Sequence, residues 1–291
     1  MKTSHTLIGI AVSLALAAGM LFAGSQGSIT HDGIALFALC GVIGFVLHWL
    51  VFIPSFAFQT EHYFDLTGGI SYITTVIVAV YLNPQLDIRD QIIAAMIAIW
   101  AFRLSSFLFW RIKKDGQDKR FVVMKTKFTW FLMTWTLGGL WVLMTMAAGL
   151  AAITSSNSVH LNALDHIGIA LWITGLAIEV VADNQKTKFR NLPENQGRFI
   201  TTGIWAWSRH PNYFGEILLW AGLALVALPV LAGWQLVTLI SPLFVYLLLT
   251  RVSGITMLEA MGKKRWGDDP EYIAYLESTP PLMLRKPRRP S

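Results

Sequence analysis

The chain has 291 residues, of which 54% are hydrophobic and only 14% charged, with a formal net charge of +6. A soluble domain carries about 25% charged residues, so this composition, with a mean hydropathy of +0.53, cannot coat a globule with polar surface. It describes an integral membrane protein and excludes an ordinary soluble enzyme.

Apolar stretches long enough, or nearly so, to cross about 30 Å of hydrocarbon lie at residues 6–23, 34–57, 67–82, 91–110, 129–153, 164–182, 213–229 and 231–250. They predict an all-α polytopic bundle of seven or eight helices. The third stretch is short, and only Pro229 and the Ala232-Gly233 step part the last two. The first, preceded by Lys2 and containing Ala17-Ala18-Gly19, has features of a cleaved signal peptide. No polar mature domain follows it, so it is read as a retained helix. The lone Cys40 sits in an apolar run, which excludes an intramolecular disulfide and any multi-cysteine metal site.

Lys and Arg collect in alternate connections. Residues 111–127 hold Arg111, Lys113, Lys114, Lys119, Arg120, Lys125 and Lys127; residues 183–210 hold Lys186, Lys188, Arg190, Arg198 and Arg209; the tail adds Lys263, Lys264 and Arg265. The intervening connections near 83–90 and 154–163 contain only Arg89. The positive-inside rule therefore predicts that both termini and the basic loops are cytoplasmic. The same distribution argues against nucleic acid as a partner and leaves membrane lipid and a lipophilic small molecule. One membrane domain over 1–291 is expected, with substrate-side spans in 1–110 and a polar-ligand region in 111–291.

Ionisable groups at membrane depth are costly and mark functional candidates. Here they are Arg103, Glu179 and Glu216, with Glu61, Asp65, Asp183 and Arg251 nearer the inner interface. In Ser208-Arg209-His210-Pro211-Asn212-Tyr213-Phe214-Gly215-Glu216, Pro211 can open a helix whose free N–H groups attract an anion. Asn212 and Glu216 then share one helix face, with Arg209 and His210 at its mouth. Asp183, Lys186 and Arg190 recur at helical spacing, and their cations suit a ligand with several phosphates. The connector Gln59-Thr60-Glu61-His62-Tyr63-Phe64-Asp65 is unusually polar for its length, with Glu61 and Asp65 one turn apart if helical. His48, His160 and His166 lack ligand partners at metal-site spacing and are read as structural. No metal is expected. Neither a Gly-x-Gly-x-x-Gly turn nor a Gly-x-Ser-x-Gly elbow occurs.

The segment Asp183–Glu216, ending in Arg-His-Pro-Asn-Tyr-Phe-Gly-Glu, resembles the C-terminal signature of the steroid 5-alpha-reductase family and its bacterial relatives. The tail Trp266-Gly267-Asp268-Asp269-Pro270-Glu271-Tyr272-Ile273-Ala274-Tyr275 is similar to that group, as is Arg103-Leu104 followed by Gly116, Asp118 and Arg120. The resemblance implies NADPH as cofactor, contacted by Asp183, Arg190, Arg198, Asn212 and Glu216, with Tyr272 and Tyr275 closing the site. Lys186, Arg209 and His210 join that set on charge and position. It also implies that Glu61, with Gln59, holds the ketone of an enone, while the family's tyrosine falls at Trp100, three residues before Arg103. An indole can donate a hydrogen bond but cannot deliver a proton as a phenol does, so Tyr63 is the candidate replacement.

The function expected is NADPH-dependent reduction of a polarised C=C bond in a lipophilic, possibly steroid-like substrate, in a bacterial inner membrane. Substrate would enter from the bilayer among spans two to four and nucleotide from the cytoplasm. Burial is expected to raise the Glu61 pKa toward the working pH for acid catalysis. Two rivals stand beside it. An S-adenosylmethionine-dependent methyltransferase of the isoprenylcysteine carboxyl methyltransferase type shares a similar Arg-His-Pro run. A non-enzymatic transporter or lipid-binding protein would spread buried charge along a midplane path.

Overall fold

The computed structural model describes residues 2–116, 118 and 121–286. Among them, eight helical segments are long and apolar enough to cross a membrane: Thr3–Ser25, Leu36–Ala57, Phe64–Leu82, Ile88–Lys114, Phe128–Ile153, Ala163–Asn191, Pro211–Val230 and Gly233–Trp266. The protein is a polytopic, all-α membrane protein. In chain order the α-helices are α1 (Thr3–Ser25), α2 (Leu36–Gly41), α3 (Ile43–Ala57), α4 (Phe64–Leu82), α5 (Ile88–Asp115) and α6 (Phe128–Ile153). They continue as α7 (Ala163–Asn191), α8 (Pro211–Ala227), α9 (Ser241–Leu247), α10 (Ile255–Trp266) and α11 (Pro270–Ser278).

Two helices outrun their apolar stretches. α5 continues past residue 110 and α7 past 182, because once a helix leaves hydrocarbon its polar turns still propagate it. Lys113 and Lys114, and Lys188 and Arg190, lie in the two last turns, where cations favour the helix dipole. Gly116, at φ 80°, stops α5. At the other end a capping box fixes its start: Asp87 accepts from the Asp90 N–H at 3.0 Å and Asp90 from the Asp87 N–H at 3.1 Å.

The eighth span departs from the single helix expected over 231–250. It begins as a 3-10 helix, Gly233–Ile240, becomes α9, loosens into a π turn at Leu248–Val252, and breaks before α10. The Ser253 N–H reaches back to the Leu248 carbonyl at 3.0 Å, and a Cβ on Gly254 would lie 2.1 Å from the Leu249 oxygen. Only glycine fits that corner. A two-strand hairpin, Thr30–His31 with Ile34–Ala35, was not anticipated. Its turn is Asp32-Gly33, both at positive φ, the pair that a type I′ turn requires.

The chain forms two compact units: Met1–His166 with Leu223–Ser241, and Ile167–Gly222 with Pro242–Ser291. Residue 110, where the sequence reading separates substrate-side spans from the polar-ligand region, lies within α5. In the first unit α6 is the core, with α1, α3, α4 and α5 packed against it. Small residues allow that approach: a Cβ on Gly139 would stand 2.9 Å from the Phe45 Cα. Cys40 is fully buried, in keeping with a packing role. Arg89, the lone cation of its loops, is also fully buried. It is bidentate with Asp165, at 2.9 and 2.8 Å, and donates to the Val159 carbonyl, which pins the 154–163 connection.

In the second unit α7 and α8 cross with their backbones nearly touching. A Cβ on Gly215 would meet the Gly175 oxygen at 2.5 Å, and one on Gly222 the Gly168 oxygen at 2.5 Å. Two glycines seven residues apart on each helix make this a small-residue seam.

Candidate functional sites in the two units

The first unit separates residues that the sequence grouped together. Gln59 sits at φ 52° and turns its amide back to the Phe56 carbonyl at 2.7 Å, exposed and away from Glu61. Tyr63 is 52% exposed and precedes the first turn of α4. Glu61 is only 1% exposed, and accepts from the Lys125 ammonium at 2.7 Å and the Asp118 N–H at 2.9 Å. Burial pushes its carboxyl up, but the Lys125 ammonium and the Asp118 N–H outweigh burial and hold it below its ordinary value. The expected rise of the Glu61 pKa is therefore corrected: this carboxylate is ionised, and it ties the 58–63 turn to Asp118 and Lys125. Arg120, grouped with Asp118 in the sequence, lies outside the described residues, as does Lys119.

Asp65 and Trp100 do come together. They line a cavity of about 40 Å³ among α3, α4, α5 and α6, along with His48, Tyr72, Ser105 and Trp141. Gly68, Gly69 and Gly138 supply its bare walls. A Cβ on Gly68 would stand 3.4 Å from Trp141, whereas one on Gly69 or Gly138 would strike Ser105 at 2.2 Å or His48 at 2.5 Å. His48, read as structural, bonds through Nδ1 to the Gly44 carbonyl at 2.6 Å and still faces this cavity. Arg103 lies elsewhere on α5, its guanidinium 5.5 Å from the Phe107 ring centre.

In the second unit the α7–α8 seam brings acids and amide together. Asn212 donates to Asp183 at 3.3 Å. Glu179 lies one turn before Asp183 and Glu216 one turn after Asn212; Glu179, Asp183 and Glu216 are buried. The same unit carries the candidate cations. Lys186 lies over the Trp205 ring at 4.5 Å, Arg190 and Arg198 are exposed, and Arg209 pairs with Glu259 at 3.1 Å. His210 is buried, stacked on Tyr213 with ring centres 5.5 Å apart. Burial, then the Lys186 and Arg209 charges, push its pKa down to about 3, so the ring is neutral at pH 7.

The tail folds over the 197–210 loop. Phe199 packs on Trp266, Tyr272 and Tyr275. The Tyr275 hydroxyl donates to the Trp205 carbonyl at 2.7 Å, and the Trp266 indole to Gly197 at 2.5 Å. Burial raises the pKa of both tyrosines, assisted by Glu259 at Tyr272. Both are thus neutral phenols that brace this loop. Beyond α11, Pro280 and Leu282 accept from the Arg209 N–H and the Ser208 hydroxyl at 2.9 Å each.

Residues 51–279 match the family described as "Protein of unknown function (DUF1295)". The chain belongs to that family. Comparison with curated proteins and with solved structures returns no match. The DUF1295 region runs from within α3 to α11 and includes the cavity-lining residues named above except His48, together with the acids, amide and cations of the second unit. Glu259 was missed in the sequence, although an acid within Ile255-Thr256-Met257-Leu258-Glu259 breaks an otherwise apolar run. Lys125 was noted only as a flanking cation, and Tyr72 as part of a span. Among the described residues no group of three or more His, Cys, Asp or Glu could hold a metal ion.

Proposed function

We propose that this protein is a membrane reductase that uses NADPH to saturate a polarised C=C bond in a lipophilic enone. The observation that carries this is the mixed donor set of the second unit. Ribose hydroxyls and a carboxamide are hydrogen-bond donors that suit Asp183, Glu216 and the Asn212 amide, while a pyrophosphate and a 2′-phosphate suit Lys186, Arg190, Arg198 and Arg209. The set fits the nucleotide, and the resemblance to steroid 5-alpha-reductases supports the same assignment. When bound, NADPH supplies the hydride. His210, neutral and buried, and the Tyr272 and Tyr275 phenols keep the cationic loop ordered.

On the acceptor side, the cavity of the first unit offers Asp65 and Trp100 beside apolar walls. Its aromatic rings and its α4 and α5 walls would pack against the alkene. Overall, the acceptor would gain a hydride at the β-carbon from the bound nucleotide and a proton at the α-carbon from water, which leaves as hydroxide. Glu61, ionised and paired, supports the loop and takes no part as an acid.

The test compares ligands by thermal shift and titration of the purified protein. NADPH should bind and stabilise it. Arg190→Gln or Arg198→Gln should weaken that binding by about 10- to 150-fold, the equivalent of about 1.5–3 kcal/mol for a bond to a charged group. Tight binding of S-adenosylmethionine, with NADPH indifferent to both substitutions, refutes the reductase in favour of the methyltransferase.

A further inference from the structure

The 3-10 helix that opens the last span, Gly233–Ile240, is eight residues long. Such helices seldom exceed three or four residues, because side chains three apart eclipse one another. Here the eclipsed row, Trp234, Val237 and Ile240, forms one wall of a second cavity in the first unit, of about 310 Å³. The other wall is α1, through Ala15, Gly19 and Ala23 and their neighbours, and Met144 of α6 completes the lining.

The cavity owes its width to Gly19. Small residues in membrane helices ordinarily serve close packing, and the other glycines flanking this stretch of α1 do so. A Cβ on Gly9 would stand 2.6 Å from the Met133 sulfur and one on Gly24 2.2 Å from the Phe37 ring, whereas one on Gly19 would meet nothing within 4 Å. Met20, Ala23 and Met144 are buried as a floor, while Leu16 and Trp234 at the rims are 50% and 64% exposed. Apart from the Trp234 indole, the lining is wholly apolar, which excludes a charged or strongly polar occupant.

Depth and section say what fills it. α1 is an apolar membrane-spanning helix, so the medium around this cavity is hydrocarbon. From Ala15 to Ala23 is about 12 Å at ~1.5 Å per residue, and from Trp234 to Ile240 about 12 Å at ~2.0 Å per residue. Over that length the volume gives a mean cross-section of about 26 Å². A helix ~10 Å across presents about 80 Å², so a partner's span does not fit. A single hydrocarbon chain does: at ~30 Å³ per methylene, close to a water's share of liquid volume, there is room for roughly ten carbons. Trp234 sets the direction, since tryptophan favours the headgroup level of the bilayer.

We infer that this cavity holds one acyl chain of a membrane phospholipid, with the headgroup beside Trp234 and the chain running along α1 past Gly19. α1 lies outside the family match over 51–279, and the cavity stands whether or not the protein is a reductase.

The experiment uses the full-length protein in vesicles of phosphatidylglycerol and phosphatidylethanolamine, with a trace of phosphatidylcholine carrying a photoreactive diazirine on its acyl chain. After irradiation, residues 15–23 and 233–240 should be labelled at least tenfold more per residue than the exposed face of α4 at Ile70 and Ile77. Gly19→Leu, which has free space for its side chain, should cut that labelling at least tenfold. Leu14→Phe, exposed on α1 but outside the lining, should label as the wild type does. Native mass spectrometry of the detergent-purified wild type should show one retained phospholipid per chain, lost in Gly19→Leu. If that variant does not fold, the wild-type label distribution and native mass decide alone. Labelling spread evenly over all exposed apolar faces means exchanging boundary lipid only and overturns the inference. So does retention of a fatty acid or quinone in place of a phospholipid, or a dimer cross-linked through α1 with no lipid bound.

Discussion

Replacing Glu61 by glutamine removes the charge of the fully buried partner of an ion pair while preserving shape. The carboxylate holds Lys125 at 2.7 Å and the Asp118 N–H at 2.9 Å. Breaking a buried pair by removing one partner costs about 3–5 kcal/mol. Two features lower that here: the Lys125 side chain is 18% exposed and regains some water, and glutamine still accepts from Asp118. About 2 kcal/mol is expected, or a fall in Tm of roughly 4–8 °C at ~2–4 °C per kcal/mol. The pH dependence has a definite sign. Because the folded carboxyl titrates below its unfolded value of 4.5, its contribution is complete above pH 4.5 and is lost as pH falls through the folded value. The wild-type advantage over Glu61→Gln should therefore hold at neutral pH and shrink in acid. Circular dichroism melts in detergent at both pH values measure it. An unchanged Tm at pH 7, together with a hundredfold loss of turnover, would refute the ion-pair argument and return Glu61 to the acceptor.

Two further expectations follow from the same structure. Gly215→Leu should abolish stable expression or greatly lower Tm, since even a Cβ there would approach the Gly175 oxygen to 2.5 Å and the Glu179 nitrogen to 2.8 Å; normal yield and melting would contradict the close crossing. A cysteine at Lys188 should label only from the cytoplasm and one at His160 only from outside, with buried Cys40 silent; the reverse pattern overturns the positive-inside assignment.

All eight spans were legible because hydropathy needs no tertiary knowledge: a run of apolar residues must be helical wherever lipid leaves its backbone no other partner. The Asp32-Gly33 hairpin was equally local and went unread. The bend at Gly254 was not legible, since it depends on a carbonyl five residues back in a particular turn. Glu61 illustrates the larger gap. Its environment is set by Lys125, 64 positions away, and by an N–H that has no sequence signature at all. An acid in a short loop looks the same whether it is a desolvated general acid or half of an ion pair, and the sign of its pKa shift reverses between the two.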